Sequence, residues 1–266
     1  MEIPLFPLHT VLCPGIVLPL HVFEDRYRAM TRRCLDSGEP FGVVLIRDGR
    51  EIGTKGVATL AGVGAFAEIR EAGRYPDGRY DLLAAATGRF AIESVDSQKE
   101  PYLVAEVTPL DDEVGDEPRA ERLAAAAIRR FVRYLDLMRA RDGESTEVLD
   151  IRVEIDASPD TKRPSEGSAT DIAAAVEPEI ETSTAGAEPP TRHDLVIPDD
   201  PTVLSYLLSG IVQVELPRRQ ALLEADTTVE RLEGLIALLE RELVLLGRRL
   251  RFFSPDPKIL GGARRS

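Results

Sequence analysis

Apolar and polar positions are spaced in three different ways along this chain, and each spacing predicts a different element. The opening, "MEIPLFPLHTVLCPGIVLPLHVFEDRYRAM", is apolar at Leu5, Phe6, Leu8, Val11, Leu12, Ile16, Val17, Leu18 and Leu20, yet is interrupted by Pro4, Pro7, Pro14 and Pro19. Proline fixes φ near about −65° and donates no backbone hydrogen bond, so this segment reads as extended chain at the edge of a β-core. Pro14-Gly15 marks a turn. From about Glu24 the period lengthens: Tyr27, Met30 and Cys34 fall on one face of a short helix over 24–35, with Arg26, Ala29 and Arg33 on another.

Residues 41–110 return to strand patterning. "FGVVLIR", "GVATLAGVGAFAEIREA", "YDLLAAATGRFAIESV" and "YLVAEVTPL" are apolar runs closed by turn residues, with Pro76-Asp77-Gly78 marking a hairpin. Short strands joined by tight turns favour a small barrel over an open sheet, because closure removes exposed edges. Over 119–141 the period becomes helical, with Leu123, Ala127, Phe131, Leu135 and Met138 in one stripe.

Three more helices are predicted near the end. Asp200-Pro201 is an N-cap and first-turn pair ahead of Leu204, Leu207, Leu208, Ile211 and Val212. Pro217 opens a short helix carrying Leu222 and Leu223. Thr227 and Glu230 fit a capping box at the head of a long helix. Its seam, Val229, Leu232, Ile236, Leu239, Leu243, Leu246, Leu250 and Phe253, is widened by Leu235, Leu238 and Leu245, which predicts burial in an intramolecular bundle rather than a dimeric coiled coil.

Charge divides the chain. Between Asp142 and Asp194 lie 14 acidic and four basic residues, which carry −10 of the net −13. That segment is rich in Ser, Thr, Pro, Glu and Asp and is expected to be disordered, with only "VLDIRVEI" alternating briefly as a strand would. The expected organisation is a β-rich part at 1–112, a first bundle helix at 113–141, the acidic insert at 142–195, a helical bundle at 196–254 and a tail at 255–266.

Composition narrows the chemistry. With 43% hydrophobic residues over 266 positions the chain can bury a proper core. It shows no run long enough to span a membrane and no leader pattern, so it is expected in the cytoplasm. Arginine outnumbers lysine heavily, a bias that points to a bacterial source. Cys13 and Cys34 lack metal or redox spacing and read as structural thiols. His9, Cys13 and His21 fit no standard zinc pattern, His21 and Glu24 read as a turn rather than an acid/base pair, and Asp111, Asp112 and Glu113 read as a solvated loop. Gly49, Gly53 and Gly56 lack the strand-to-helix context of a dinucleotide site. No P-loop motif occurs, and no lysine precedes a serine or threonine. Neither a cofactor nor a metal is expected.

"IPLFPLHTVLCPGIVLPLHVFEDRYRAM", "PFGVVLI", "GRYDLLAAATGRFAI" and "DPTVLSYLLSGIVQVELPRRQALLEADTTVERLEGLIALLERELVLL" together resemble, in order, the LON domain, the amino-terminal substrate-binding domain of ATP-dependent Lon protease. The resemblance implies an α+β fold, a PUA-like β pseudo-barrel with a short helix followed by a C-terminal helical bundle. It also implies a LON domain standing without its motor and protease: not an enzyme, but a module that binds unfolded or exposed polypeptide segments and works with a protease or chaperone. Two alternatives are an RNA-binding PUA-like protein, against which the acidic balance stands, and an adaptor for one folded partner. The expected contact surface is the unpacked side of the first helix, at Asp25, Arg26 and Arg33.

Overall fold

A computed structural model describes residues 1–48, 59–142 and 197–253. Its elements run β1 (Glu2–Leu8), β2 (Val17–Val22), α1 (Asp25–Ser37), β3 (Phe41–Asp48), β4 (Thr59–Leu60), β5 (Val63–Arg74), β6 (Tyr80–Asp96), β7 (Leu103–Leu110), α2 (Glu117–Asp142), α3 (Pro201–Ile211), α4 (Leu216–Glu224) and α5 (Thr228–Phe253). Contacts divide the chain into two units, Met1–Glu147 with Asp200–Ser266, and Val148–Asp199; every element belongs to the first. The acidic insert after its first residue, with "VLDIRVEI", and the tail at 255–266 lie outside the described residues. Among the described residues no helix is long and apolar enough to cross a membrane.

The sheet runs β1-β7-β6-β5-β3-β4, with β2 added on β6, and a parallel β1–β3 pairing joins its ends into a barrel. This corrects the expectation that the opening strand lies at an edge. β1 is antiparallel to β7 from Glu2↔Glu106 to Leu5↔Leu103 and parallel to β3 from Leu5↔Gly42 to Leu8↔Leu45. Its prolines survive there by parity. Met1 and Val107 exchange both backbone hydrogen bonds, at 2.7 and 2.8 Å, so the odd-numbered N–H groups of β1 face β7 and the even ones face β3. Pro4 lacks an N–H toward β3 before the β3 pairing begins, and Pro7 lacks one toward β7 after the β7 pairing has ended. The stagger removes the need for either donor.

Inside the barrel, Phe90 fills space that two glycines leave open. A Cβ on Gly42 would lie 2.7 Å from its Cζ, and one on Gly64 only 2.5 Å. A second cluster beneath α1 holds Phe6, Tyr27, Met30, Cys34 and Phe41, with the Phe6 and Tyr27 rings stacked at 4.2 Å. Tyr27, Met30 and Cys34 are the face that the sequence period assigns to the core. Gly38, at φ 71°, ends α1 by donating its N–H to the Cys34 carbonyl at 2.9 Å.

The bundle begins as its caps predict. Asp200 accepts from the N–H groups of Thr202 and Val203 at 2.7 and 3.1 Å, and the Thr227 hydroxyl accepts from Glu230 N–H at 3.2 Å. α2 and α5 pack along each other, with Arg119–Glu233 and Arg130–Glu240 pairs beside the seam. Leu232, Leu235, Leu239 and Leu246 are buried, whereas Leu245, expected to widen the buried stripe, is exposed.

Barrel and bundle meet at two buried arginines. Arg89 of β6 donates to the carbonyls of Leu223 and Ala225 at 2.9 and 2.8 Å, and to Asp112 at 3.1 Å. Arg231 of α5, 0% exposed, donates to Leu222 and Ala225 carbonyls at 3.1 and 3.2 Å and to the Ser205 hydroxyl at 3.2 Å. The carbonyls at the end of α4, which no helical N–H can reach, are thus closed by guanidinium groups from both halves. Asp112, read from sequence as part of a solvated loop, is the carboxylate of this junction.

Candidate functional site

β2 is an edge strand, paired with β6 alone among the described residues. Pro14-Gly15 delivers it: Gly15 has φ 80°, and Ile16 N–H donates to the Cys13 carbonyl at 3.1 Å, closing the turn. The Ile16 carbonyl accepts from Ala86 N–H at 3.0 Å, which fixes the ladder's alternation. Leu18, Leu20 and Val22 therefore direct their backbone groups to β6, and Val17, Pro19 and His21 direct theirs to the open side. Pro19 removes the middle donor from that open edge, as edge strands commonly do. Side chains split with the same parity. Val22 is buried, Leu18 and Leu20 pack against the core cluster, and Val17, Pro19 and His21 face out. Phe23 continues the outward set at 61% exposure, with Val17 at 49%.

The β5–β6 hairpin stands beside this face. Gly78, at φ 86°, donates to the Tyr75 carbonyl at 3.0 Å, and Tyr75 N–H donates to the Arg79 carbonyl at 2.9 Å, so Pro76 and Asp77 form the tip. Asp81 lies between two outward groups: it is 2.6 Å from His21 Nδ1 and accepts from the Tyr75 hydroxyl. Arg79 Nη1 reaches His21 Nε2 at 3.4 Å. A guanidinium only donates, so in the neutral ring the tautomer that satisfies both contacts has Nε2 accepting and the proton on Nδ1, toward Asp81. These bonds, that of Tyr75 first, hold the Asp81 carboxyl below the usual aspartate range, and Asp81 raises the Tyr75 phenol. Phe23 and Tyr75 flank the His21 ring at 6.2 and 6.1 Å between centroids. The result is an exposed aromatic rim around a small hydrogen-bonded polar centre.

The three residues expected to form the contact surface are placed differently from one another. Asp25 projects into solvent and pairs with Arg28, whose Nη1 also reaches the Asp77 carbonyl of the hairpin tip at 3.1 Å. Arg26 turns back to Glu24 at 2.8 Å and lies over the Tyr27 ring at 4.5 Å. Arg33, two turns along α1, reaches the Tyr102 hydroxyl at 3.3 Å. Asp25 thus borders the aromatic rim, while Arg26 and Arg33 are half-buried in separate local pairs. Sequence reading missed Phe23, Tyr75 and Asp81. The signal for Phe23 was present: it keeps the parity of Val17, Pro19 and His21 through "VLPLHVF".

The other candidates do not converge. His9 is exposed and Cys13 is fully buried, its thiol pushed up to about 11 by that burial. His21 bonds Asp81 rather than Glu24. Among the described residues no group of three His, Cys, Asp or Glu side chains is placed to hold a metal.

Comparison with known proteins fits this architecture. Lon protease of Escherichia coli K12 is 24% identical over 247 residues, covering 92% of this chain and 25% of the relative. Lon protease of Brevibacillus choshinensis is 24% identical over 255 residues, 94% of this chain and 26% of the relative. The chain therefore spans about a quarter of the length of these relatives. The crystal structure of a Lon N-terminal domain protein from Xanthomonas campestris shares the fold with a TM-score of 0.51 and 23% identity, over 89% of this chain and 98% of that one. Residues 2–241 match the family described as the ATP-dependent protease La (LON) substrate-binding domain, and the chain belongs to that family.

Proposed function

We propose that this protein is a non-catalytic module of the bacterial cytoplasm that holds exposed or unfolded polypeptide segments, and that it holds them on the face formed by β2, Phe23 and the first turn of α1. The observation that carries this reading is Phe23, a phenylalanine 61% exposed where the open strand edge ends, its ring 6.2 Å from that of His21. Membership of a substrate-binding family supports it. An extended segment has two things to gain there: backbone pairing with the outward groups of Val17 and His21, and apolar contact with the aromatic rim. Asp25 borders the face and biases which charges a segment carries, while Arg26 and Arg33 stay in their local pairs with Glu24 and Tyr102. Client segments then pass to a protease or chaperone.

A fluorescence-anisotropy titration against a labelled, permanently unfolded polypeptide at near-physiological salt tests the reading, with single-stranded RNA as competitor. Saturable binding that RNA does not displace is expected, and Phe23→Ser weakens it by about tenfold, the effect of losing a central aromatic anchor. Charge reversal of Arg26 and Arg33 is a secondary test, since it also breaks the contacts to Glu24, Tyr27 and Tyr102. Binding unaffected by Phe23→Ser moves the surface elsewhere. An absence of saturable binding rejects the polypeptide reading in favour of a single folded partner, and displacement by RNA favours nucleic acid.

A further inference from the structure

α5 has a second face that the bundle does not cover. Glu230, Gly234, Ala237, Arg241, Val244 and Arg248 alternate four and three apart along it, and each is exposed, Val244 at 52%. Gly234 and Ala237 lie over a depression of about 300 Å³ between α4 and α5, whose opposite wall includes Ala221 of α4 and Ala225 just after it. A helix face that is small at one end and carries an exposed valine at the other invites the question of what covers it.

The order of residues supplies the answer. Counted outward from Leu239, Ala237 and Arg241 are equidistant, as are Gly234 and Val244, and as are Glu230 and Arg248. Run antiparallel against itself with the two-fold axis at Leu239, the stripe sets each Val244 opposite a Gly234, the methylenes of each Arg241 over an Ala237, and each Glu230 carboxylate opposite an Arg248 guanidinium. Every contact occurs twice, the defining property of an isologous interface. Any stripe alternating four and three apart is symmetric in this way. What selects a second copy is that the two ends of this stripe carry opposite charge and its small and large residues fall opposite each other.

We propose that two copies of this chain associate through α5, antiparallel and centred on Leu239. The alternating spacing gives the shallow crossing of about 20° that keeps a seam of this period in contact along its length. Small residues let the helix axes approach, and Val244 fills the depression at Gly234 of the second copy. The end charges set the direction: parallel pairing would put Glu230 against Glu230 and Arg248 against Arg248, whereas antiparallel pairing joins opposite signs. Among the described residues neither the Glu230 nor the Arg248 side chain takes part in an ion pair within the chain, so both are available. This face shares no residue with β2, Phe23 or α1, so dimerisation and polypeptide binding are separable.

Sedimentation velocity of the full chain from about 1 to 300 µM tests the proposal, because a single helix-pair interface is small and its dimers dissociate in the micromolar range. The wild type is expected to shift from monomer to dimer within that span. Val244→Asp raises the dissociation constant at least about tenfold by placing a carboxylate against Gly234. Glu230→Arg and Arg248→Glu each weaken association several-fold, and the double charge exchange restores it to within about twofold of wild type. All three positions are exposed, and circular dichroism confirms that each variant keeps its helices. A wild type that stays monomeric throughout overturns the proposal. So does a dimer that ignores Val244→Asp, or a double exchange weaker than either single variant.

Discussion

The Arg231 guanidinium lies 3.8 Å from the centre of the Tyr206 ring, while the Tyr206 hydroxyl donates to Asp112 on the barrel side. One cation from α5 is thus tied, through a ring on α3, to a carboxylate at the end of β7. Burial disfavours the charged guanidinium, and the Asp112 carboxylate favours it. What keeps Arg231 charged is three donated hydrogen bonds and the face of a ring. Arg231→Ala leaves the Leu222 carbonyl and the Ser205 hydroxyl without their donor and is expected to cost about 3–5 kcal/mol. Tyr206→Phe, which removes one charge-assisted bond, costs about 1.5–3 kcal/mol. Urea denaturation of the two variants checks the order, and a Tyr206→Phe variant as stable as wild type would show that the ring and not the hydroxyl joins the halves.

The glycines around Phe90 differ in what an added methyl group meets. At Gly42 the near atoms are side-chain carbons of Phe90, Leu5 and Ile3 at 2.7–2.9 Å, but at Gly64 the Val43 carbonyl oxygen also stands at 2.6 Å. Side chains shift more easily than the backbone of a closed barrel. Gly42→Ala is expected to cost about 1–3 kcal/mol and Gly64→Ala more. Phe90→Leu on top should recover most of the first loss and little of the second, as a double-mutant cycle would show.

How much of this was legible beforehand follows from sequence distance. Caps and turns lie within a few residues of what they control, so Pro14-Gly15, Asp200 and Thr227 announced themselves. The face of α1 is equally local, because Tyr27, Met30 and Cys34 repeat at helical spacing. β1 was misread as an edge because its tolerance of Pro4 and Pro7 depends on where pairing with β7 stops and pairing with β3 starts. No local pattern encodes that stagger. The Arg89–Asp112–Arg231 junction was hidden for a related reason: two arginines among many become distinctive only when folding brings both to the end of α4. The aromatic rim falls between these cases, with Phe23 readable by parity and Tyr75 brought to His21 by the hairpin.

Both cysteines are buried, and burial pushes each thiol up to about 11. A raised thiol pKa means that the folded chain keeps a proton the unfolded chain gives up near pH 9, so this contribution is present below pH 9 and lost as pH rises toward 11. The wild type should therefore lose stability between pH 8.5 and 10.5 more steeply than a Cys13→Ala/Cys34→Ala variant, even though that variant starts lower from its two small cavities. Urea midpoints across the range check the slope. Iodoacetamide should label neither thiol in the folded protein at pH 8.5.

Pro19 offers the sharpest test of how the open edge is used. It sits at Pro19↔Leu83, a position whose backbone groups point away from β6, so Pro19→Ala removes no bond from the ladder. What it adds is an N–H on the open side, between those of Val17 and His21, which makes the edge continuous. Stability should fall by no more than about 1 kcal/mol, mainly because the unfolded chain gains freedom. Affinity for an unfolded polypeptide should rise several-fold if segments pair with β2, because one more backbone bond forms in the middle of the contact. Anisotropy titrations of the wild type and Pro19→Ala, run beside Phe23→Ser, separate the two sources of binding. A gain from Pro19→Ala with a loss from Phe23→Ser assigns both the strand edge and the aromatic rim to the same docking site. A loss from Phe23→Ser alone assigns binding to side chains, with Pro19 retained to keep the edge closed.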